Sequence, residues 1–331
     1  MSQLIILSSR KAKRHWHVSY DTILGLEDEF IECINNKNSC IFFGKGIWML
    51  NRITRKFLKK AFPDVSVINK VKKNKNAKVF FSIMGLYELL ETKETLREIS
   101  EQLIIYVFDC WESGFQEYKK IFDEIKPKHI FFAYKKACDY FKKEGYNCYV
   151  LPQSMDARFF KDYGKEKSRL FIQMGRRTEI LHESVLKYLS YYKLADSEEN
   201  YVYERQKGKI IFPDTKQLAK EINASWFFVA APANIMNSKL TGSISEVTAR
   251  FYEAMACKTL IIGIKPADSF EQLFPIEDAM IEVNSDNIIE VIDELMNNKD
   301  KYWKIVEKNY NYVMENHRWK NRYVQVMKAI N

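Results

Sequence analysis

No apolar run in these 331 residues approaches the roughly 20 consecutive residues that a membrane-spanning helix requires. The opening stretch, MSQLIILSSRKAKRHW, has too short an apolar centre for a secretory signal, and its charges follow that centre instead of preceding it. It reads as a first strand. Cys33, Cys40, Cys110, Cys138, Cys148 and Cys257 are scattered, without a CxxC pair or a Cys/His cluster of zinc spacing. Free thiols in a reducing cytosol are expected. The chain also lacks a Gly-x4-Gly-Lys-Ser/Thr loop and a Gly-x-Gly-x-x-Gly after its first strand, which disfavours nucleotide hydrolysis and NAD chemistry. No internal repeat or low-complexity tract stands out, and no cofactor is expected.

What is present is an ordinary globular composition, 47% hydrophobic and 29% charged, long enough for about two domains. Charge is spread unevenly. Residues 1–80 hold 16 Lys and Arg against 6 Asp and Glu, a net of +10, although the whole chain carries only +9. The excess lies in RKAKRH (10–15), RITRKFLKK (52–60) and KVKKNKNAK (70–78). Such runs can be solvated faces, but this one-sidedness favours an anionic partner for the N-terminal part.

Short apolar runs alternate with helical patterns. The expected strands are 4–8, 40–43, 65–68, 79–83, 103–108, 129–134 and 148–151, followed by 170–174, 201–203, 209–212, 226–231, 259–262 and 279–283. They are continuous runs, as parallel strands covered on both faces should be. Helical patterns include 47–61, 114–126 and 134–144. The two series predict an α/β chain of two facing, doubly wound, Rossmann-like domains, with the seam in the polar link at 151–168. In open parallel sheets, ligands bind beyond the carboxyl ends of the strands.

Two stretches suit phosphate. In FIQMGRRTEILHES (171–184) an apolar strand ends in Gly175, Arg176, Arg177 and Thr178 before a helix expected to open near His182. Guanidinium groups bind phosphate oxygens in bidentate fashion, although two arginines in a surface loop are equally compatible with the pattern. In SEVTARFYEAMACKTLIIG (245–263), Ser243 or Ser245 can cap a helix whose N-terminal N–H groups would attract an anion. Thr248 and Arg250 lie at its start. Arg250 and Glu253 share one helical face, being three residues apart. They form either an ordinary ion pair or a ligand face on which Arg250 meets phosphate and Glu253 accepts ribose hydroxyls.

The stretch RFYEAMACKTLIIG (250–263) resembles the nucleotide-binding helix and strand of GT-B glycosyltransferases, in particular the group-1, family-4-like clan. VLPQSMDARFF (150–160), FIQMGRR (171–177) and NHRWKNRYVQVMKAI (316–330) are similar, in that order, to its interdomain segment, phosphate-binding turn and C-terminal His-x-Trp helix. The resemblance covers residues 148–331 in motif and the first 147 only in architecture. Where the clan often has a Glu eight residues before Glu253, this chain has Ser245, with Glu246 one place off. The Arg-x-x-Glu form of the helix also resembles that of bacteriophage DNA glucosyltransferases, some of which use an Asp at the end of an N-terminal-domain strand as base. Asp109, in LIIYVFDCWESGF (103–115), has that position; it can equally be the N-cap of the next helix.

The resemblance implies a GT-B enzyme with an acceptor domain at 1–152, a nucleotide-sugar domain at 153–315 and a C-terminal helix at 316–331 returning to the first domain. Gly175, Arg176, Arg177, Ser245, Glu246, Thr248, Arg250 and Glu253 would bind the donor, a UDP-sugar at first guess. Asp109 would be the base if configuration inverts. His15, Trp16, His17 and Trp111 would hold the acceptor. No Asp-x-Asp occurs, which argues against the metal-dependent GT-A type, so no metal is expected. The acceptor is expected to be a surface-glycan or lipid-linked precursor, because IWMLNRITRKFLKKAF (47–62) is basic and amphipathic and suits an anionic leaflet. The alternative is DNA, with Trp16 or Trp48 beside a displaced base. An epimerase of the same fold and a non-catalytic basic binding module are the remaining readings. The expected location is the cytoplasm, with peripheral attachment at the inner membrane face compatible with the basic segment.

Overall fold

Leu4–Ser8 and Leu103–Val107 are buried along their whole length, as strands sandwiched between two helical layers must be. A computed structural model describes residues 3–12, 18–36, 39–58, 61–175, 177–205 and 210–331, and only the backbone of 18–20 and 58. The chain forms two compact units. One comprises Met1–Gln153, Lys239–Ile244 and Trp319–Asn331; the other comprises Ser154–Ser238 and Ser245–Arg318.

In the first unit the elements run β1 (Leu4–Ser8), α1 (Val18–Ile34), β2 (Cys40–Phe42), α2 (Lys45–Leu58), α3 (Val65–Lys73), β3 (Lys78–Ile83), α4 (Leu86–Arg97), β4 (Leu103–Val107), α5 (Phe115–Ile125), β5 (His129–Phe132), α6 (Lys135–Lys143) and β6 (Cys148–Val150). The six strands form one parallel sheet in the order β2-β1-β3-β4-β5-β6. Its order reverses beside β1, the arrangement of a doubly wound sheet. Central strands are buried apart from Lys78 at the start of β3, whereas the edge strands β2 and β6 are partly open.

Residues 65–68, expected as a strand, begin α3 instead. Asp64 caps that helix, its Oδ1 accepting from Val67 N at 3.2 Å and its Oδ2 accepting from Gly44 N at 2.8 Å. Val67, Ile68 and Val71 then share one buried helical face. A four-residue apolar run cannot distinguish the two periods; the capping Asp decides it.

In the second unit the elements are β7 (Arg169–Ile172), α7 (Glu179–Tyr191), β8 (Tyr201–Val202), α8 (Thr215–Asn223), β9 (Ser225–Ala230), α9 (Ala233–Thr241, kinked at Asn237, its last three residues belonging to the first unit), α10 (Ala249–Ala256), β10 (Leu260–Gly263), α11 (Phe270–Leu273), β11 (Ile281–Glu282), α12 (Ile288–Asn297) and α13 (Lys299–Asn316). Its five strands are again all parallel, in the order β11-β10-β9-β7-β8. Residues 210–212, expected as a strand, form no strand, and Lys209 lies outside the described residues.

The last helix, α14 (Trp319–Ile330), packs into the core of the first unit. Trp319 is fully buried against the rings of Tyr106 and Phe108. Arg322, equally buried, donates to the carbonyls of Pro152 (2.8 Å) and Gln153 (3.0 Å). The His-x-Trp stretch is therefore structural on its Trp side.

At the amino end of the second sheet, Lys167 Nζ donates to the carbonyls of Asn223 (2.8 Å), Ser225 (2.7 Å) and Lys258 (2.7 Å). It ties the end of α8 to the starts of β9 and β10. Lys167→Met keeps the aliphatic stem but leaves those carbonyls without their donor. Urea unfolding of the second unit is expected to show a loss of about 2 kcal/mol.

Candidate active site

Parallel strands deliver their following loops to one edge, so the residues after β7, β9 and β10 collect on the carboxyl side of the second sheet. Helix α10 runs into β10 and so begins on that same side. Both stretches singled out in the sequence therefore lie on one edge of one unit.

After β7, Gly175 has φ +90°, a conformation that disfavours other residues. Arg176 lies outside the described residues. Arg177 holds Glu179 through Nε (3.1 Å) and Nη2 (2.7 Å) and lies over the Tyr203 ring, 5.7 Å from its centroid. Its Glu179 partner is exposed, and such pairs contribute little, so an incoming anion can displace that carboxylate. Helix α7 opens at Glu179 and not near His182. Its N-cap is Thr178, whose buried hydroxyl has no hydrogen-bond partner among the described residues.

A polar chain that the sequence reading did not assign supports this turn. Buried Gln173 accepts from Tyr201 Oη at 2.6 Å, Tyr201 Oη stands 3.4 Å from His182 Nδ1, and His182 Nε2 stands 3.5 Å from Arg177 Nη1. Gln173 inside the apolar stretch FIQM was the available signal. Burial, then the Arg177 charge, lowers the His182 pKa below its ordinary 6.5.

At the second stretch, the N-cap of α10 is Thr248, with extended backbone (φ −103°, ψ 170°) and no capping bond from its side chain. Ser243 and Ser245, expected as caps, are tied elsewhere. Ser243 belongs to the first unit, where its N–H and hydroxyl donate to Glu112 and its carbonyl accepts from Lys136 at 2.6 Å. Gly242 beside it has φ +62°, and a Cβ there would meet the Glu112 carboxylate. Buried Ser245 donates from its N–H to Asp268 (2.7 Å) and accepts from Ala267 N (3.0 Å). Glu246 is also buried.

Arg250 and Glu253 do form an ion pair. Glu253 is almost wholly buried, whereas a quarter of the Arg250 side chain reaches solvent. The pair thus places a fixed acceptor inside and a cation at the surface within the first turns of α10.

In the first unit, Asp109 follows β4 and is not an N-cap: Trp111 precedes the next short 3₁₀ turn and Gly114 precedes α5. Its N–H donates to Met84 O (2.9 Å), its carbonyl accepts from Tyr118 Oη (3.0 Å), and its carboxylate accepts from Tyr134 Oη (3.0 Å). Gln153 Nε2 in turn donates to Tyr134 Oη at 3.1 Å. Tyr134 and Gln153 are buried, and Trp111 lies against the Tyr134 ring at 4.5 Å. The half-buried carboxylate is therefore oriented by a two-step chain that sequence spacing alone could not assemble. His15, Trp16 and His17 lie outside the described residues. Trp48 is buried edge-on to Phe43, which removes it as a platform for a displaced base.

A second buried group stands at the carboxyl end of β1, also unassigned from sequence. Glu27 accepts from Ser8 Oγ (2.6 Å) and Arg10 Nε (3.0 Å), and burial pushes its carboxyl pKa up against their opposing pull. Among the described residues no group of three His, Cys, Asp or Glu is placed to hold a metal ion. An open cleft of about 530 Å³ lined by Lys165, Asp214, Lys220 and Glu221 lies at the amino end of the second sheet, opposite the edge described above.

The geometry around His182 makes a direct prediction. Its NMR titration midpoint should fall below 6.5, and Arg177→Ala should raise it by removing a neighbouring cation. Because the folded ring takes its proton less readily than the unfolded one, its contribution to stability is lost as pH falls through 6.5.

Residues 182–328 match the model of a family described as glycosyl transferase-like. No curated protein matches the sequence. Among solved structures the chain is similar to HepE of Anabaena in complex with UDP-glucose, with TM-score 0.55 and 9% identity over 99% of this chain and 98% of that one. Sucrose-phosphate synthase of Thermosynechococcus elongatus gives TM-score 0.59 and 10% identity over 98% and 97%. The N-terminal domain of Candida albicans trehalose-6-phosphate phosphatase gives 0.51 and 12% over 99% and 96%. At such identities the likeness is one of fold. Two parallel-sheet α/β units and these likenesses give the chain the GT-B fold, and residues 182–328 carry a glycosyl transferase-like match.

Proposed function

We propose that this chain moves a sugar from a nucleoside diphosphate sugar to a hydroxyl of a lipid-linked or glycan precursor. The observation that carries the donor side is the Arg250–Glu253 pair at the start of α10. Arg250, together with Arg176 and Arg177 of the β7 turn, would meet the diphosphate, assisted by the α10 N-terminus at Thr248 and the turn at Gly175. Glu253 would accept from the ribose hydroxyls once Arg250 turns to phosphate. Ser245 and Glu246 would stand beside the transferred sugar. HepE of Anabaena is described with UDP-glucose, so a uridine nucleotide is the first donor to try.

On the acceptor side, Asp109 would take the proton of the attacking hydroxyl as its oxygen bonds to the anomeric carbon and the nucleoside diphosphate departs. That assignment requires inversion of configuration. Tyr134 and Gln153 would act as positioning residues through their hydrogen bonds to that carboxylate. Trp111, with His15, Trp16 and His17, would hold the acceptor. Charge on the departing diphosphate would be met by the arginines and the helix N-terminus instead of by a metal ion.

The first test is a thermal-shift screen of UDP, GDP, ADP, TDP and CMP sugars on the wild type, Arg250→Ala and Glu253→Ala. One nucleotide at 100-fold its Kd should stabilise the wild type by about 2.7 kcal/mol and leave both variants unchanged. Absence of a shift with every nucleotide sugar would sink the donor site and favour the binding-module reading. Once a donor is known, Asp109→Asn should lower kcat by about 100-fold or more without loss of donor binding, and transfer should survive EDTA. An Asp109→Asn enzyme of normal kcat would remove the base from this mechanism.

A further inference from the structure

Helix α2 has an inner face packed and hydrogen-bonded into the first unit. Trp48 is buried against Phe43, and Asn51 Nδ2 donates to the carbonyls of Phe62 (2.8 Å) and Glu91 (2.9 Å) while its Oδ1 accepts from Phe62 N (2.7 Å). The outer face of the same helix is apolar. Met49, Ile53 and Phe57 follow one another at four-residue spacing and are 52%, 55% and 72% exposed, with Leu50 beside them at 43%. At 1.5 Å per residue this is a line roughly 12 Å long on a convex surface. Phe62 and Val65, just beyond the helix, are exposed as well. Lys45, Arg52 and Lys56 project from the flank of the stripe, and none has an ion-pair partner among the described residues.

We propose that α2 docks the first unit on an anionic lipid surface. Met49, Leu50, Ile53 and Phe57 enter the interface between headgroups and acyl chains, while Lys45, Arg52 and Lys56 meet headgroup phosphates. The combination selects the partner. A nucleic-acid backbone would satisfy the cations but leave the apolar line against water, because phosphates need donors where this face presents methyl and phenyl groups. A second copy of the chain would bring like charges together, given +10 over residues 1–80. A fluid bilayer accommodates a convex stripe without a complementary groove. No described helix is long and apolar enough to cross a membrane, so the contact is interfacial. The helix starts just after β2 and so leaves from the same sheet edge as Asp109, which follows β4. The docking itself does not depend on the reaction proposed above.

The test is flotation of the full chain with POPC vesicles, with POPC vesicles containing POPG, and a parallel titration with duplex DNA at the same ionic strength. The variants are Ile53→Ser/Phe57→Ser and Arg52→Glu/Lys56→Glu, both confined to exposed side chains. Wild type should bind the POPG vesicles and prefer them to POPC and to DNA. Each double variant should lose at least about tenfold in affinity for them, with unchanged melting temperature. Vesicle binding untouched by Ile53→Ser/Phe57→Ser would reduce the effect to simple charge attraction and overturn the proposal. So would binding of DNA without binding of vesicles, or no binding of either. None of these readouts involves a sugar nucleotide, so they separate failure of the docking face from failure of the donor site.

Discussion

Burial of both faces of a parallel sheet is the constraint from which the rest of the molecule follows. Strands such as LIILS and LIIYV have no solvent side on which to place a polar residue, so polar chemistry is driven to their ends. The two ends then diverge in use. At the amino end of the second sheet, Lys167 closes the carbonyls of three elements. At its carboxyl end, Thr178 and Thr248 begin helices without side-chain capping bonds. One end is tied off, and the other keeps polar groups with capacity to spare.

The same economy appears in how charged groups are treated. Arg322 and Lys167 spend their donors on backbone carbonyls and act as fasteners. Arg177 has an exposed carboxylate as its ion-pair partner, and Arg250 has one end of its pair open to solvent. Arg177 can exchange its partner at small cost, whereas the Glu253 partner of Arg250 is almost wholly buried and costs more to leave. Asp109 differs again: its main-chain groups and carboxylate are all held, the latter by a phenol that is itself held by Gln153. A carboxylate fixed this way suits a group that must present the same oxygen repeatedly.

Several elements show where local pattern misleads. VSVI (65–68) has the composition of a strand, yet Asp64 at its start and Val71 beyond its end make it a helix. Ser243 and Ser245 have the composition of N-caps, yet Glu112 and the 267–268 turn claim them, and Thr248 takes the place. Trp48, which looked able to stack on a base, is core. For the two serines the deciding partners lie 131 and 23 residues away, and such partners leave no trace in a short window.

The sequence by itself determined the two parallel-sheet units, because continuous apolar runs are a local consequence of being covered on both faces. It also marked the turn after β7, the Arg250–Glu253 face and Asp109 at a strand end, since residue type and position along a strand or helix suffice for that. Only the tertiary structure decided which of these groups are held and by what. Tyr134 reaches Asp109 across 25 positions, Tyr201 reaches Gln173 across 28, and Arg322 reaches Pro152 across 170. It also decided that the apolar residues of α2 face outward, because one helix face can be core only if the sheet lies against it, and Trp48 and Asn51 had already taken that side.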